Sequence, residues 1–374
     1  MSTRVFASLG AAFAFAVVTV AAPAPVAGQT QPGTAKKSSA VTGGGASARS
    51  PRNWVARRLP WGDPDVQGNF TTKDEMNTPM ERPDQFAGKR IEDVTSQELA
   101  AANRERQRRA LANAPYPGGG SRALGIAIAV PVHWFDNLDS INSRPWLVID
   151  PPDGKIPPQT DEARRLAAAQ ARARQERGTA DSFTDRSIGD RCISFGGPSM
   201  ISGGYGGSYQ IVQTKDFVAI RYEMIHETRV IPIEGRGGAR AHNGPGLRTY
   251  AGDAVARWDG NTLVVDTTNY NDKTTYRGFR AETLHLIERF RRTAPNKVEL
   301  TVTVEDAHTW VRPWSYAIPL TEDDGQPIFE YACHEGNYGL RNILSAGRSD
   351  DRKGIKSSND ADSQADLLRG EFDE

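Results

Sequence analysis

The chain has 374 residues, and its 46 Lys and Arg residues are balanced by 46 Asp and Glu residues. This neutral balance gives no reason to expect a nucleic acid partner or an anionic membrane surface. The 36 glycines and 23 prolines favour short strands joined by many turns over a helical bundle.

The N-terminus has the pattern of a signal peptide. Arg4 is followed by an uncharged, apolar-rich run to Ala22, and small residues that end at Gly28 provide a cleavage region. The run is long enough for a membrane anchor, but its many small residues and the prolines at its end favour cleavage. The sequence therefore predicts residues 1–28 as a signal peptide, a periplasmic or secreted location, and no stable membrane insertion after cleavage.

Two further segments lack the apolar residues that a core requires. Residues 29–50 are rich in Ser, Gly, Ala and Thr, which is typical of a disordered linker. Residues 349–374 are charged and mostly acidic, which predicts a disordered tail. We therefore expect one folded domain over residues 51–348.

Two helices are expected before the middle of the chain. Thr95 and Glu98 form a capping box ahead of a run of helix formers that reaches about Leu111. Thr160 is the N-cap of a second expected helix, which ends before Gly178. Both helices are mostly polar, so we expect them at the periphery.

From Tyr205 to His334 the apolar residues alternate with period two, which is typical of strands. Strands are expected at Phe217–Ile225, Arg229–Ile233, Ala254–Trp258, Leu263–Asn269, Thr283–Arg292, Lys297–Glu305, Trp310–Ile318 and Ile328–Cys333, with two earlier ones at Val66–Thr72 and Trp146–Ile149. Short turns between them indicate an antiparallel meander. Closing the meander into a barrel would remove its edges. The expected fold is mainly β, with a closed meander, two peripheral helices and a long N-terminal wrap.

Three expected strands each carry one ionisable group on an otherwise apolar face. These groups are Glu288, His226 and Arg312. The side chains that share a face with His226 or Arg312, and would bind a ligand, are Tyr222, Met224, Trp310, Trp314 and Tyr316. A mostly apolar surface with a few polar groups is the usual composition of a small-molecule pocket.

The three ionisable groups allow two interpretations. A carboxylate on an apolar face is costly to ionise, so Glu288 is expected either to pair with Arg312 or to hold a proton. A Glu288–Arg312 pair would be structural and would fix the register of the barrel. A protonatable Glu288 beside His226 would suit proton abstraction, elimination or hydrolysis. In that case His226, Glu288 and Arg312 are the candidate catalytic residues of a metal-independent lyase, isomerase or hydrolase.

Cys192 and Cys333 are the two cysteines of the chain. In an oxidising compartment they predict a disulfide, with a catalytic thiol or metal ligation as the alternatives. Asp306 and His308 could place two metal ligands on one strand face, with His334 as a third. We favour the interpretation without a metal, and no other cofactor is expected.

Several blocks of the sequence resemble a family of exported bacterial β-rich proteins of unassigned activity. The blocks are Glu223-Met224-Ile225-His226, Arg257 to Val265, Leu284 to Phe290, Val304-Glu305-Asp306 with Thr309 to Trp314, and Tyr331 to Tyr338. The resemblance covers about Trp61 to Leu344 and implies a fold but no mechanism. In addition, Gly68-Asn69-Phe70 resembles the opening of lipocalin-like barrels, with Phe70 where those proteins have Trp. This resemblance implies that the expected barrel is lipocalin-like.

The preferred hypothesis is an exported barrel whose partner is a small, aromatic or apolar organic molecule, on which it acts by acid–base chemistry. The alternatives are a carrier that binds such a molecule without turnover and a structural envelope protein. The side chains that line the barrel interior discriminate between the three.

Overall fold

The computed structural model describes residues 55–75, 78–113, 142–177, 180–194, 207–237, 241–325 and 328–354. The predicted signal peptide and linker lie outside the described residues, as does the tail beyond Gly354. No helix in the described part of the chain is long and apolar enough to cross a membrane.

The described residues form twelve β-strands and three α-helices. The strands are β1 (Gly68–Thr71), β2 (Val148–Asp150), β3 (Ser208–Gln213), β4 (Phe217–Tyr222), β5 (Thr228–Pro232), β6 (Asp253–Asp259), β7 (Thr262–Thr268), β8 (Thr275–Tyr276), β9 (Phe279–Arg280), β10 (His285–Ala294), β11 (Lys297–Glu305) and β12 (Trp314–Glu322). The helices are α1 (Ser96–Asn113), α2 (Asp161–Arg177) and α3 (Gly339–Lys353). Short 3₁₀ turns occur at Lys73–Glu75, Asp84–Phe86, Ile91–Asp93, Phe183–Asp185 and Met224–His226.

Nine of the strands form a nearly closed antiparallel barrel and follow one another around it in chain order. One half runs β1-β3-β4-β5, the other runs β6-β7-β10-β11-β12, and β12 pairs with β1 to join the halves. Strand β2 also pairs with β12 but is not one of the nine barrel strands, and β8 and β9 form a separate small hairpin. The predicted fold, mainly β with a meander closed into a barrel, is confirmed.

The barrel closes at a seam between β5 and β6. Ile233 forms a parallel bridge with Ala256, and the Glu234 N–H donates to the Ala256 carbonyl oxygen at 2.7 Å. The other neighbouring pairs around the barrel are antiparallel. Nine strands cannot alternate in direction all the way around, because nine is odd. One pair of neighbours must therefore run parallel. In this protein that pair is β5 and β6, which meet at the bridge between Ile233 and Ala256.

Alternation along the strands separates the interior of the barrel from its outer face. In β10 the side chains of Leu286, Glu288 and Phe290 are buried, whereas the residues between them are partly exposed. Strand β11 shows the same alternation over its whole length. The period-two pattern of the sequence thus identifies the inward faces, because successive side chains of a strand point to opposite sides.

The chain after α1 pairs with the edge of β12 that β1 leaves free, and the chain before α1 pairs with it in turn. The Ala317 N–H donates to the Leu147 carbonyl oxygen at 3.0 Å, and the Val148 N–H donates to the Met80 carbonyl oxygen at 2.8 Å. Behind this layer, Trp146 packs with Phe86 and with Ala102 of α1. Strand β12 is therefore buried on both faces over most of its length, and the predicted N-terminal wrap is confirmed.

The two predicted helices form, and their caps are as expected. The Glu98 N–H donates to Thr95 Oγ1 and the Thr95 N–H donates to Glu98 Oε2, while the Ala163 N–H donates to Thr160 Oγ1 at 3.0 Å. Helix α3 was not expected from the sequence. It ends at Lys353, within the segment 349–374 that the sequence predicts as a tail.

Some predicted strands differ from the structure. The strand predicted at Trp310–Ile318 begins only at Trp314, because Pro313 has no N–H to donate to a neighbouring strand. The strand predicted at Phe217–Ile225 ends at Tyr222, where the chain turns with positive φ at Ile225 and His226. Residues 328–333, also predicted as a strand, are irregular and lie at the disulfide. Strand β3 was not assigned from the sequence.

Candidate functional site

An ion pair between Glu288 and Arg229 lies inside the barrel. Both side chains are buried, with 0% and 5% of their surface exposed. Arg229 donates from Nη2 to Glu288 Oε2 at 2.7 Å and from Nη1 to Oε1 at 3.1 Å. The guanidinium also donates to the Tyr222 hydroxyl at 3.0 Å and to Thr267 Oγ1 at 3.1 Å. Both carboxylate oxygens of Glu288 are therefore occupied by one rigid donor.

Arg229 and Glu288 neutralise each other's charge. Burial opposes the charge of Arg229, but the neighbouring carboxylate of Glu288 holds the pKa of the guanidinium above its ordinary value. Burial raises the pKa of Tyr222, so its phenol stays neutral and accepts the hydrogen bond. The interior thus holds a charge pair that is internally compensated, surrounded by neutral polar groups.

The predicted contact between Glu288 and Arg312 is wrong. Arg312 lies before β12, outside the barrel, with half of its side chain exposed and Nη2 at 3.7 Å from Asp150 Oδ1. The prediction assumed that alternation continues from Trp310 through Arg312 to Trp314. The chain bends there instead, so Arg312 does not share the inward direction of the two tryptophans.

His226 does not approach Glu288 either. It is exposed on the tight turn between β4 and β5, and its Nδ1 lies 2.9 Å from the carbonyl oxygen of Tyr331. The positive φ values of Ile225 and His226 interrupt the alternation that had placed His226 on the face of Tyr222. The structure therefore does not bring the three candidate catalytic residues together.

Four of the five predicted ligand-binding residues are buried in the barrel core, and Met224 is half-buried on the turn after β4. Tyr222 contacts the ion pair, as described above. The other three belong to an aromatic cluster made of Tyr276, Phe279, Trp310, Trp314 and Tyr316. Its rings contact one another at centroid distances of 5.6 to 6.4 Å, and the hydroxyls of Tyr276 and Tyr316 are 3.1 Å apart.

Seven buried side-chain atoms have no hydrogen-bond partner among the described residues. Three of them are donors that lie beside the ion pair or in the aromatic cluster, namely Arg229 Nε, the Tyr270 hydroxyl and Trp314 Nε1. Tyr270 and Trp314 are both fully buried. The charges of Arg229 and Glu288 both act on the Tyr270 phenol, although burial is the main cause of its raised pKa. Unpaired hydrogen-bond donors therefore lie next to the ion pair and within the aromatic cluster.

Arg229 and Tyr270 were not predicted from the sequence as functional residues. A signal for Arg229 was present, because Arg229 and Ile231 of β5 alternate with Ile233 just beyond it, and all three are buried. Tyr270 follows β7 and lies next to Asn269, which has positive φ. No strand pattern continues there, so periodicity carried no signal for Tyr270.

Cys192 and Cys333 form a disulfide, with their Cα atoms 5.8 Å apart. This confirms the predicted pairing. The Asn337 side chain donates to the Cys333 carbonyl oxygen at 2.8 Å and so braces the turn that follows.

Two of the residues considered as metal ligands, Asp306 and His308, contact different partners. Asp306 accepts hydrogen bonds from Thr283 and Thr309, whereas His308 lies at the surface, 3.8 Å from Glu162. Within the described ranges, no group of three or more His, Cys, Asp or Glu side chains is arranged to hold a metal ion.

A second polar cluster lies on the outer face of the barrel. His285 bridges Asp266, at 2.8 Å from Nε2, and Glu305, at 2.9 Å from Nδ1. His242 contacts the same Asp266 oxygen at 2.9 Å. The hydrogen bond to Asp266 raises the pKa of His285. Burial opposes ionisation of Asp266, but the two histidines hold its pKa below the ordinary value.

No protein-family model matches the chain, and no curated protein matches it. Among solved structures, the chain is similar to a point mutant of the fluorescent protein UnaG. The sequence identity is 14%, the match covers 36% of this chain and 86% of that chain, and the TM-score is 0.20. A likeness at this level carries no argument about ligand or activity, so the assignment of a barrel rests on the strand pairing described above.

Proposed function

We propose that the protein is an exported barrel that binds a small neutral organic molecule in its interior, between the ion pair and the aromatic cluster. The observation that carries this proposal is the set of three buried donors without an acceptor: Arg229 Nε, the Tyr270 hydroxyl and Trp314 Nε1. A buried donor without a partner costs about 1–3 kcal/mol, so native proteins rarely keep several of them. A ligand that accepts their hydrogen bonds would offset this cost.

The chemistry of the three groups indicates the kind of ligand. Indole and guanidinium N–H groups can only donate, and a phenol can also donate, so the ligand would carry an oxygen acceptor. The charge of Arg229 is already compensated by Glu288, which favours a neutral carbonyl or ether oxygen over an anion. The surrounding aromatic rings favour a planar apolar body.

The same geometry supports binding without turnover over acid–base catalysis. A general acid or base must reach the proton that it transfers. Both oxygens of Glu288 already accept hydrogen bonds from Arg229, and His226 lies outside the barrel wall. The disulfide supports an oxidising compartment, which agrees with the predicted export.

A matched pair of probes tests the proposal. Acetophenone and α-methylstyrene have nearly the same shape, but only acetophenone carries an acceptor oxygen. We expect wild-type protein to bind acetophenone more tightly, measured by quenching of tryptophan fluorescence. Tyr270→Phe removes one donor and should reduce the preference by about five- to tenfold, the value of one hydrogen bond of about 1 kcal/mol.

Tyr209→Phe is the control, because the Tyr209 hydroxyl already has Thr72 as partner and Tyr209 lies outside the aromatic cluster. It should leave the probe preference unchanged and lower the melting temperature. Tyr270→Phe should leave the melting temperature of the free protein unchanged or raise it, since it removes an unpaired buried hydroxyl. Equal affinity for both probes, together with a lower melting temperature for Tyr270→Phe, would favour a structural barrel instead.

A further inference from the structure

A groove of about 440 Å³ lies on the outside of the molecule, between α2 and the segment of β9 that leads to β10. Its helical wall includes Ala163, Leu166, Ala167 and Gln170, and Phe279 lies on the opposite wall. We call it the α2 groove. Its volume is in the range of about 300–1,000 Å³ that is usual for small-molecule sites.

The helical wall is one continuous face of α2. Positions 163, 166, 167 and 170 follow the i, i+3, i+4, i+7 spacing that aligns side chains along a helix. Alanine occupies two of these four positions, and its short side chain leaves the groove open. Leu166, in contrast, has 54% of its surface exposed at the edge of the groove. An apolar ligand in the groove would cover this side chain and remove apolar surface from water.

The charged residues of the groove are paired with one another. Glu162 lies 3.8 Å from His308, and Arg280 lies 3.7 Å from Glu282. The Arg280 guanidinium has the Glu282 carboxylate beside it, so among the residues that line the groove no cation is left without a counter-charge. A carboxylate or phosphate ligand therefore has no dedicated partner there, whereas a neutral, mostly apolar molecule meets alanine, leucine and phenylalanine side chains.

We propose that the α2 groove is a second binding site, which takes a neutral, mostly apolar small molecule. The groove is separate from the interior site of the proposed function. Phe279 lines the groove and contacts Trp310 at a centroid distance of 5.9 Å, and Trp310 in turn packs on Trp314. Two aromatic layers thus separate a ligand in the groove from the unpaired donors inside the barrel.

The experiment uses 1,6-diphenylhexatriene, a neutral hydrocarbon dye without an acceptor oxygen whose fluorescence rises in apolar surroundings, titrated onto the full chain. Ala167→Trp fills the groove and should weaken dye binding about tenfold or more, equivalent to about 1.4 kcal/mol. Ala168→Trp is the matched control, because Ala168 is an exposed neighbour on α2 that does not line the groove. It should bind the dye as the wild type does.

A second pair of variants tests the groove even if Ala167→Trp fails to fold. Leu166→Asn should weaken dye binding, whereas Leu247→Asn should not, since Leu247 has nearly the same exposure, 55%, and does not line the groove. Tyr270→Phe should leave dye binding unchanged, which separates this site from the interior one. Equal binding by both members of each pair, or loss of binding in Tyr270→Phe alone, would overturn the groove site and leave the interior proposal standing.

Discussion

At the scale of single residues, the Arg229–Glu288 pair is the most consequential feature. Glu288→Gln keeps the shape of the side chain but leaves the Arg229 guanidinium buried without a counter-charge. Removing one partner of a buried ion pair costs about 3–5 kcal/mol. We therefore expect the free energy of unfolding, measured by urea denaturation, to fall by about this amount.

Glu282→Gln, in the segment between β9 and β10, is the control for that measurement. Glu282 lies 3.7 Å from Arg280, with 41% and 57% of the two side chains exposed, and exposed ion pairs contribute little to stability. It should leave the denaturation midpoint nearly unchanged. If Glu288→Gln were equally harmless, a structural role for the pair would be untenable, and the predicted acid–base role of Glu288 would gain support.

The outer cluster around His285 predicts a pH dependence of stability. The pKa of His285 is raised by Asp266, so its contribution is full below the ordinary histidine pKa of 6.5 and is lost as the pH rises through the raised value. The pKa of Asp266 is lowered, so its contribution is present above the ordinary value of 3.8 and is lost as the pH falls through the lowered value. The cluster therefore stabilises most between these ordinary values.

His285→Gln tests this pH dependence. The titratable groups around the His285 ring are Asp266 on β7, Glu305 on β11 and His242 on the loop before β6. The stability difference between wild type and variant should be largest near pH 5–6 and should shrink steadily above pH 7, by linkage. Thermal melts across this range measure it. A difference that grows with pH would contradict the charged state assigned to His285.

At the scale of elements, the disulfide holds the C-terminal segment to the rest of the molecule. Helix α3 has no buried residue, and its described contacts include those of Arg348 with the carbonyl oxygens of Ala180 and Asp181. Cys192 and Cys333 close a loop with a sequence separation of 141 residues. The covalent link therefore restricts this segment more than packing does.

Replacing both Cys192 and Cys333 by alanine should expose the C-terminal segment to protease. We expect trypsin to cleave at Arg341 and Arg348 much faster than in the oxidised wild type, with the fragments identified by mass spectrometry. Chain entropy limits the loss of unfolding free energy to about 5 kcal/mol. Unchanged cleavage rates would show that α3 is held by contacts other than the disulfide.

At the scale of the whole molecule, the order of strands around the barrel follows the order of the chain. Short turns such as Asp259-Gly260-Asn261 join β6 to β7, and each such turn leads to an antiparallel neighbour. Local turn chemistry and alternation therefore predicted the meander well. They did not predict the parallel seam between β5 and β6, because it depends on contacts between segments distant in the chain. Helix α3 was not predicted either.

The sequence by itself determined that Glu288 lies on an apolar strand face, because alternation between Leu286 and Phe290 depends only on local backbone geometry. It equally indicated that the two cysteines of the chain pair with each other. Only the tertiary structure decided which cation neutralises Glu288. Arg229 lies on β5, 59 residues earlier in the chain, and reaches Glu288 because closure of the barrel brings the two strands to face one interior. Arg312 carried the same local signal but lies outside that interior, because the chain bends before β12 begins.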